Sequence, residues 1–301
     1  MALRLWRMTT TPENAGLNPD IFTQIAPPRD IKRYIRRILV ANSHEEVQFD
    51  FTVRATGYCY IGWVWSGRWR GVVNGITEFD TYADGPVFVS GQILKSEVVG
   101  HIAGVPGLAF AEFQPFGQYQ LLGIPGEKTL EQAVSPIALN PSLSGPLAPL
   151  LEVASGSRNE DVLEILIQAL STLSRTANSV DDRYIAAAKA IELSAGNARL
   201  KDICAAFGLR ERTFRRRFHS LAGLSPKRFA RLVQTNLAFG EVLQSDESIS
   251  QIAASTGFSD QSHLIRALQT FHGRTPKDIR SRTEITLRRF VGSSQVDDAS
   301  N

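Results

Sequence analysis

The residues best suited to chemistry in this chain are arginines, and their spacing suits binding rather than catalysis. Five lie between Arg210 and Arg217, and residues 196 to 290 carry 17 basic against 8 acidic side chains, a net +9. Residues 1 to 150 carry 12 basic against 13 acidic. A compact segment with so large an excess of base is what a polyanion such as DNA requires, so the two parts of the chain face different partners. A second group, Arg29, Lys32, Arg33, Arg36 and Arg37, stands in PPRDIKRYIRRILVANS with Asp30 as its one acidic neighbour. Arginine presents a planar fork of donors, so the Arg29–Arg33 and Arg33–Arg37 spacings suit an anionic, phosphodiester-like ligand. Ile31, Tyr34, Ile35 and Ile38 would form the buried side of an amphipathic helix or strand edge, leaving the arginines on one exposed face. Tyr34, Trp63 and Trp65, with Arg68, are further ligand candidates, although alternating Ile61, Trp63 and Trp65 read first as the core of a sheet.

Other chemistry is sparse. His44 and His101 lack the clustered-histidine spacing of a metal centre, so no metal is expected. Cys59 and Cys204 cannot build a disulfide framework, which fits a reducing, cytoplasmic setting, and both read as small core residues. His219 and His272 read as polar surface residues. There is no phosphate loop and no nucleophile elbow, so neither a catalytic residue nor a bound cofactor is expected. The opening MALRLWRMTTTPEN turns polar too early for a signal peptide, and no apolar run approaches a membrane span.

The elements that must position these residues divide in two. VQFDFTV, CYIGWVW, GVVNGITEF, GPVFVS and GLAFAEF are short runs rich in aromatic and β-branched residues, with a hairpin signal at Asn74-Gly75 and a turn at Asp84-Gly85-Pro86; these predict a small barrel or sandwich. SPIALNPSLSGPLAP then reads as linker. Val162, Leu163, Leu166, Ile167, Leu170 and Leu173 repeat at helical spacing, predicting a connecting or dimerisation helix. From 182 to 290 apolar stripes alternate with short glycine- or proline-marked turns, predicting six or seven helices.

Within that helical part, LKDICAAFGLRERTFRRRFHSLAG places Ile203, Ala206, Leu209, Phe214 and Phe218 so that one helix ends at Gly208 and another begins directly after it, with Ala205 and Ala206 allowing a close crossing. ISQIAASTGFSDQSHLIRALQTFHGRTPKDIR repeats the plan 49 residues later, at Gly257. If Phe214 and Phe218 point inward, Arg212, Arg215 and Arg216 point outward, with Arg217 and Arg210 placed for phosphate. If Leu264 and Leu268 point inward, Gln261, Ser262, Ile265 and Arg266 point outward, with His263 at the edge. A helix of this kind fits the major groove, where arginine pairs with guanine and glutamine with adenine.

GFSDQSHLIRALQTFHGRTPKDIR resembles the signature of AraC/XylS-family transcription regulators, and the likeness extends from Tyr184 to Arg289. Leu268, Gln269 and Ile279 depart from it, at positions where the family usually has phenylalanine, a basic residue and tyrosine. The resemblance implies an activator that contacts promoter DNA and RNA polymerase as a homodimer, with an N-terminal cupin-like β-barrel that binds a small effector. FVSGQ with GLAFAEFQPFGQYQLLGIP is similar to the barrel of one branch of these regulators. The RxxxR spacings also resemble the arginine motif with which PilZ-type domains hold cyclic-di-GMP. The companion [D/N]xSxxG motif occurs only as Asn140-Pro-Ser142-Leu-Ser-Gly145, much farther along the chain.

The expectation is therefore an α+β chain of two domains: a cupin-like barrel over residues 1–135, a linker with dimerisation helices over 136–181, an all-α part with two helix-turn-helix units over 182–290, and a disordered tail over 291–301. The expected ligand residues are Arg29, Arg33, Arg36, Arg37, Tyr34, Trp63 and Trp65, for cyclic-di-GMP or another anion. The alternatives are a neutral or aromatic effector among the tryptophans, and a cupin-type metal enzyme joined to a DNA-binding part.

Overall fold

The computed structural model describes residues 22–42, 45–53, 55–73, 76–94, 98–153 and 159–281. Its sheet is built on two long antiparallel strands, β4 (Tyr60–Val73) and β7 (Val98–Phe113). Along its outer edge β7 takes β2 (Ile35–Asn42) on its second half and β3 (Val47–Val53) on its first, and β1 (Phe22–Ile25) adds to β2. The far edge of β4 takes β6 (Val87–Ser90) near its start and β5 (Ile76–Asp80) near its end, and β6 takes β8 (Ala133–Val134). The order β1-β2-β7-β4-β6-β8 is an open path among the described residues, so the expected small barrel or sandwich is seen here as a sheet that does not close on itself.

Two strand expectations change. CYIGWVW and the start of GVVNGITEF belong to one strand, β4, whose register against β7 shifts around Ser66. Gly67 there has φ +73, and a Cβ on it would lie 2.9 Å from the Ala103 carbonyl oxygen, so the bend needs glycine. The arginine-rich arm is neither a helix nor an edge: residues 29–34 make a turn and 35–42 form an inner strand, because Ile38 to Ala41 are buried on both faces. The Asn74-Gly75 hairpin tip, His44 and the 291–301 tail lie outside the described residues.

Alternation along the strands sorts the core. Ile38, Val40, Ile61, Trp63, Val89, Ala109, Ala111 and Phe113 face one side. Leu39, Val64, Phe88, Leu108 and Phe110 face the other, where Trp69 stacks on Phe88 with ring centroids 4.1 Å apart. The first side is closed by helices from the expected linker: α4 (Ser144–Leu151) and α5 (Asn159–Arg175), following the short α1 (Thr81–Asp84), α2 (Gly117–Leu122) and α3 (Pro136–Leu139). Leu147, Leu150, Val162, Leu166 and Leu170 enter that core, and Trp63 Nε1 donates to the Leu150 carbonyl at 2.8 Å. Asn140 fixes the approach to α4: its Nδ2 donates to the Leu122 carbonyl and its Oδ1 accepts from Ser142 Oγ, both at 2.8 Å.

Seven helices follow among the described residues: α6 (Asp182–Leu193), α7 (Leu200–Ala206), α8 (Glu211–Ala222), α9 (Pro226–Gln244), α10 (Ile249–Ser255), α11 (Gln261–His272) and α12 (Pro276–Ser281).

Because Leu147 and Leu170 have no exposed surface, replacing either by alanine should lower unfolding stability by about 2–5 kcal/mol. Urea titration followed by tryptophan fluorescence checks this, and unchanged stability would mean that α4 and α5 only connect the two parts.

Candidate nucleic-acid interface and the amino-terminal arginines

In the carboxy-terminal region two helix pairs share one local plan. α7 turns into α8 through Gly208 (φ +63), with Leu209 N donating to the Cys204 carbonyl at 2.8 Å. α10 turns into α11 through Gly257 (φ +81), with Phe258 N donating to the Ala253 carbonyl at the same distance. Both turns need the left-handed backbone that glycine adopts without steric cost. Phe214 and Phe218 are fully buried under α8, and Leu264 and Leu268 under α11. On α7 the buried side is Ile203 and Cys204, whereas Ala205 and Ala206, expected at the helix crossing, are exposed.

The inward phenylalanines turn Arg212, Arg215, Arg216 and Arg217 out to solvent. Arg215 is steadied by Glu211 one turn back, at 2.7 Å from its Nε. On α11, Gln261, Ser262 and Arg266 are exposed, and Ile265 is half-buried. Gln261 Oε1 accepts from Ser250 Oγ at 3.0 Å, and Asp260 caps the helix by accepting from His263 N at 2.7 Å. His263 is half-buried, with protein partners at both ring nitrogens: Ser259 Oγ 3.0 Å from Nδ1 and Arg231 Nη2 2.5 Å from Nε2. Of the other expected surface histidines, His219 is exposed, but His272 is buried against Phe239.

α8 is seated on the amino-terminal unit. Phe116 meets Phe218 edge-on at 5.2 Å, Tyr58 meets Phe229 at 5.7 Å, and Ser220 Oγ donates to Glu127 at 3.1 Å. Asn236 Nδ2 donates to the Thr56 carbonyl at 2.8 Å, and Tyr58 Oη to Glu192 of α6 at 2.5 Å. Burial, then the Glu192 carboxylate, push the Tyr58 phenol well above its ordinary pKa, so it stays a donor.

The five basic residues of the arm separate. Arg29, Lys32 and Arg33 are exposed, and Arg33 reaches Asp182 at the start of α6 at 3.4 Å. Arg36 and Arg37 turn inward and share Glu112, which has no exposed surface: Arg36 Nη1 lies 2.9 Å from it, and Arg37 Nε donates to its other oxygen. The arginines therefore do not share one exposed face. Arg36 also lies over the Tyr58 ring, 4.6 Å from its centroid. Tyr34, Trp63 and Trp65 are buried in the first core, and Arg68 pairs with Asp80. Glu112, Tyr58 and Glu192, which tie the arm to α6, carry no spacing signal in the sequence; cross-strand register alone brings Arg37 opposite Glu112.

Cys59 and Cys204 are buried and unpaired, and burial raises both thiols, Cys59 to about 12. Among the described residues no group of three or more His, Cys, Asp or Glu could hold a metal ion, and no helix is long and apolar enough to cross a membrane.

Two helix pairs each bury the apolar side of their second helix and turn its largely polar side outward. Residues 203–282 match the family described as helix-turn-helix domain. The HTH-type transcriptional activator RhaS of Klebsiella pneumoniae (strain 342) is 31% identical over 88 residues, 29% of this chain and 32% of that protein, so the match spans about a third of the relative. The carboxy-terminal region is thus similar to the helix-turn-helix domains of AraC/XylS-type regulators. Among solved structures, fatty-acid-bound ToxT of Vibrio cholerae strain SCE256 aligns over 80% of this chain and 97% of its own, at 14% identity and TM-score 0.40. A transcriptional regulator of Chromobacterium violaceum with an AraC-type DNA-binding domain aligns over 33% of this chain and 90% of its own, at 24% identity and TM-score 0.32.

Burial pushes the Glu112 carboxyl up, but Arg37 and Arg36 outweigh it and hold the group below the usual carboxylate range. With the folded pKa depressed, its stabilisation is complete above the unfolded value and is lost as pH falls through the lower folded value. Urea midpoints of the wild type should therefore drop on acidification. Glu112→Gln, which leaves two buried guanidinium groups without their anion, should cost about 3–5 kcal/mol at neutral pH, and a smaller acid dependence in that variant checks the assignment.

Proposed function

We propose that this chain is a cytoplasmic, sequence-specific transcription regulator, an activator that works as a homodimer, binds promoter DNA and engages RNA polymerase. In this reading α7–α8 and α10–α11 are two helix-turn-helix units whose second helices enter successive major grooves, about 34 Å apart on one side of the duplex. The observation that carries it is the pair of outward faces, Arg212, Arg215, Arg216 and Arg217 on α8 and Gln261, Ser262 and Arg266 on α11, joined by the 19-residue α9. Arginine and glutamine are the side chains that pair two-donor or donor–acceptor fashion with guanine and adenine, and the remaining bases supply salt-sensitive phosphate contacts.

The eight-stranded sheet is the cupin-like, effector-binding part of this reading, and α4 and α5 are its candidate dimer elements. With Arg36 and Arg37 engaged by Glu112, an anionic effector, cyclic-di-GMP among them, is left Arg29, Lys32 and Arg33 on the arm. Occupying Arg33 would take it from Asp182 of α6, which gives the effector a direct effect on the first helix of the DNA-binding part. The neutral or aromatic effector is favoured by a different observation: Trp69 Nε1, buried among Phe79, Phe88 and Phe110, has no hydrogen-bond partner.

Two measurements test these readings. Selection of bound sequences from random duplexes, followed by mobility shift at stated salt, should recover a preferred site that Arg212→Ala or Arg266→Ala weakens by ~1–3 kcal/mol each with relaxed base preference; an unchanged profile contradicts the groove assignment. Isothermal titration with cyclic-di-GMP should show binding by the wild type and none by Arg29→Ala/Arg33→Ala. Absence of heat with the wild type removes that ligand, and a screen of neutral aromatic compounds against wild type and Trp69→Phe then decides between effector classes.

A further inference from the structure

The second helix pair is tied to α9 by a chain of polar contacts that no motif announces. Arg231 of α9 donates through Nη1 to Gln234 Oε1 at 2.7 Å, its Nη2 lies 2.5 Å from His263 Nε2, and its guanidinium lies over the Phe258 ring, 5.2 Å from the centroid. Arginine offers donors only, so His263 Nε2 must be the acceptor. The imidazole is then neutral with its proton on Nδ1, placed to donate to Ser259 Oγ at 3.0 Å. Gln234 is itself buried, and its Nε2 donates to both Asn197 Oδ1 and the Thr256 carbonyl, each at 3.0 Å. Asn197, in the loop between α6 and α7, is pressed against Gly257, where a Cβ would lie 2.0 Å from its Oδ1. One hydrogen-bonded chain thus runs from the loop ahead of the first helix pair, across the connecting helix, to the turn and recognition helix of the second.

We propose that Arg231 is a positioning residue for base reading by α11: by occupying Nε2 of His263 it fixes the first turn of α11, and with it Gln261, Ser262 and Arg266, relative to α8. The proposal rests on the DNA-binding reading above and makes His263 a brace whose nitrogens serve the protein. It also carries a consequence for acidity. A protonated His263 has no acceptor to offer Arg231 and sets two cations against each other, so acidification releases the brace. The charged groups facing the imidazole are Arg231 from α9, Asp260 at the cap of α11 and Arg266 one turn along; burial, then Arg231, hold His263 below its ordinary pKa, with Asp260 opposing.

The test uses the full chain with Arg231→Met, which keeps the apolar stem, Arg231→Lys, which keeps a cationic donor, and His263→Gln, which cannot titrate in this range. Nitrogen NMR of the histidine rings needs no DNA. The wild type should show His263 protonated at Nδ1 and bare at Nε2, titrating at lower pH than a free imidazole. Arg231→Met should raise the midpoint and lose the tautomer preference, with Arg231→Lys between the two. In binding-site selection, Arg231→Met should weaken by about tenfold preference only at the base pairs that Gln261→Ala also affects, sparing those that Arg212→Ala affects. That part of the wild-type preference should fade through the His263 midpoint on acidification, and His263→Gln should remove the pH dependence. A proton on Nε2 in the wild type, or a loss in Arg231→Met that is equal in both parts of the site or absent from both, overturns the proposal. If the wild type selects no DNA sequence, the functional reading fails, while the NMR result still decides whether the brace exists.

Discussion

Phe229 is the contact on which the arrangement of this chain depends. It sits in the first turn of α9 with no exposed surface, meeting Tyr58 of the amino-terminal unit on one side and Phe218 of α8 on the other, at 5.7 and 5.5 Å between ring centroids. Burial is non-directional and brings connecting loops of the amino-terminal unit, α6, α8 and α9 into one core, in which Ala55, Tyr58, Leu94 and Phe116 are packed with Ile191, Phe214 and Leu232. Orientation comes from polar contacts around its rim, where Asn236 donates to Thr56, Arg228 to Leu94 and Tyr58 to Glu192. The second helix pair has its own core of Phe239, Val242, Ile252, Phe258, Leu264 and Leu268, with no amino-terminal residue in it among the described residues. The two helix pairs are thus attached differently: the first shares its interior with loops of the amino-terminal unit, the second is joined through α9 and a polar chain.

The two groups of arginines meet opposite fates for one physical reason. On α8 the inward phenylalanines supply all the burial the helix needs, so the guanidinium groups stay in water and available to a polyanion. On β2 both faces are covered, so Arg37 is buried, Arg36 is largely so, and both are held by the fully buried Glu112 carboxylate. A buried cluster of this kind contributes little net stability compared with apolar packing, but it is costly to disrupt and directional, and it sets the end of the sheet against α6.

Much of the carboxy-terminal region was legible in the chain itself. Helical periodicity put Phe214, Phe218, Leu264 and Leu268 inward, and the glycines at 208 and 257 marked turns that only left-handed backbone completes. Both are local properties, decided within a few residues, and so survive without knowledge of distant partners. The strands over 47–53 and 87–90 were equally readable from β-branched and aromatic content. β2 was not, because a strand buried on both faces loses the alternation that identifies it.

What the sequence by itself determined is the class of the chain: a sheet-rich, near-neutral amino-terminal part, a cationic helical part with a repeated helix–turn–helix plan, and the outward side of the second helix in each pair. Tertiary structure alone decided which arginines are exposed, that α4 and α5 complete the sheet's core instead of merely linking two parts, and that Arg231 meets His263. These outcomes depend on contacts between residues far apart in the chain: Arg37 with Glu112, Trp63 with Leu150, Arg231 with His263. Such pairs are set by strand register and helix packing after collapse, and nothing in the local pattern of either partner encodes the other.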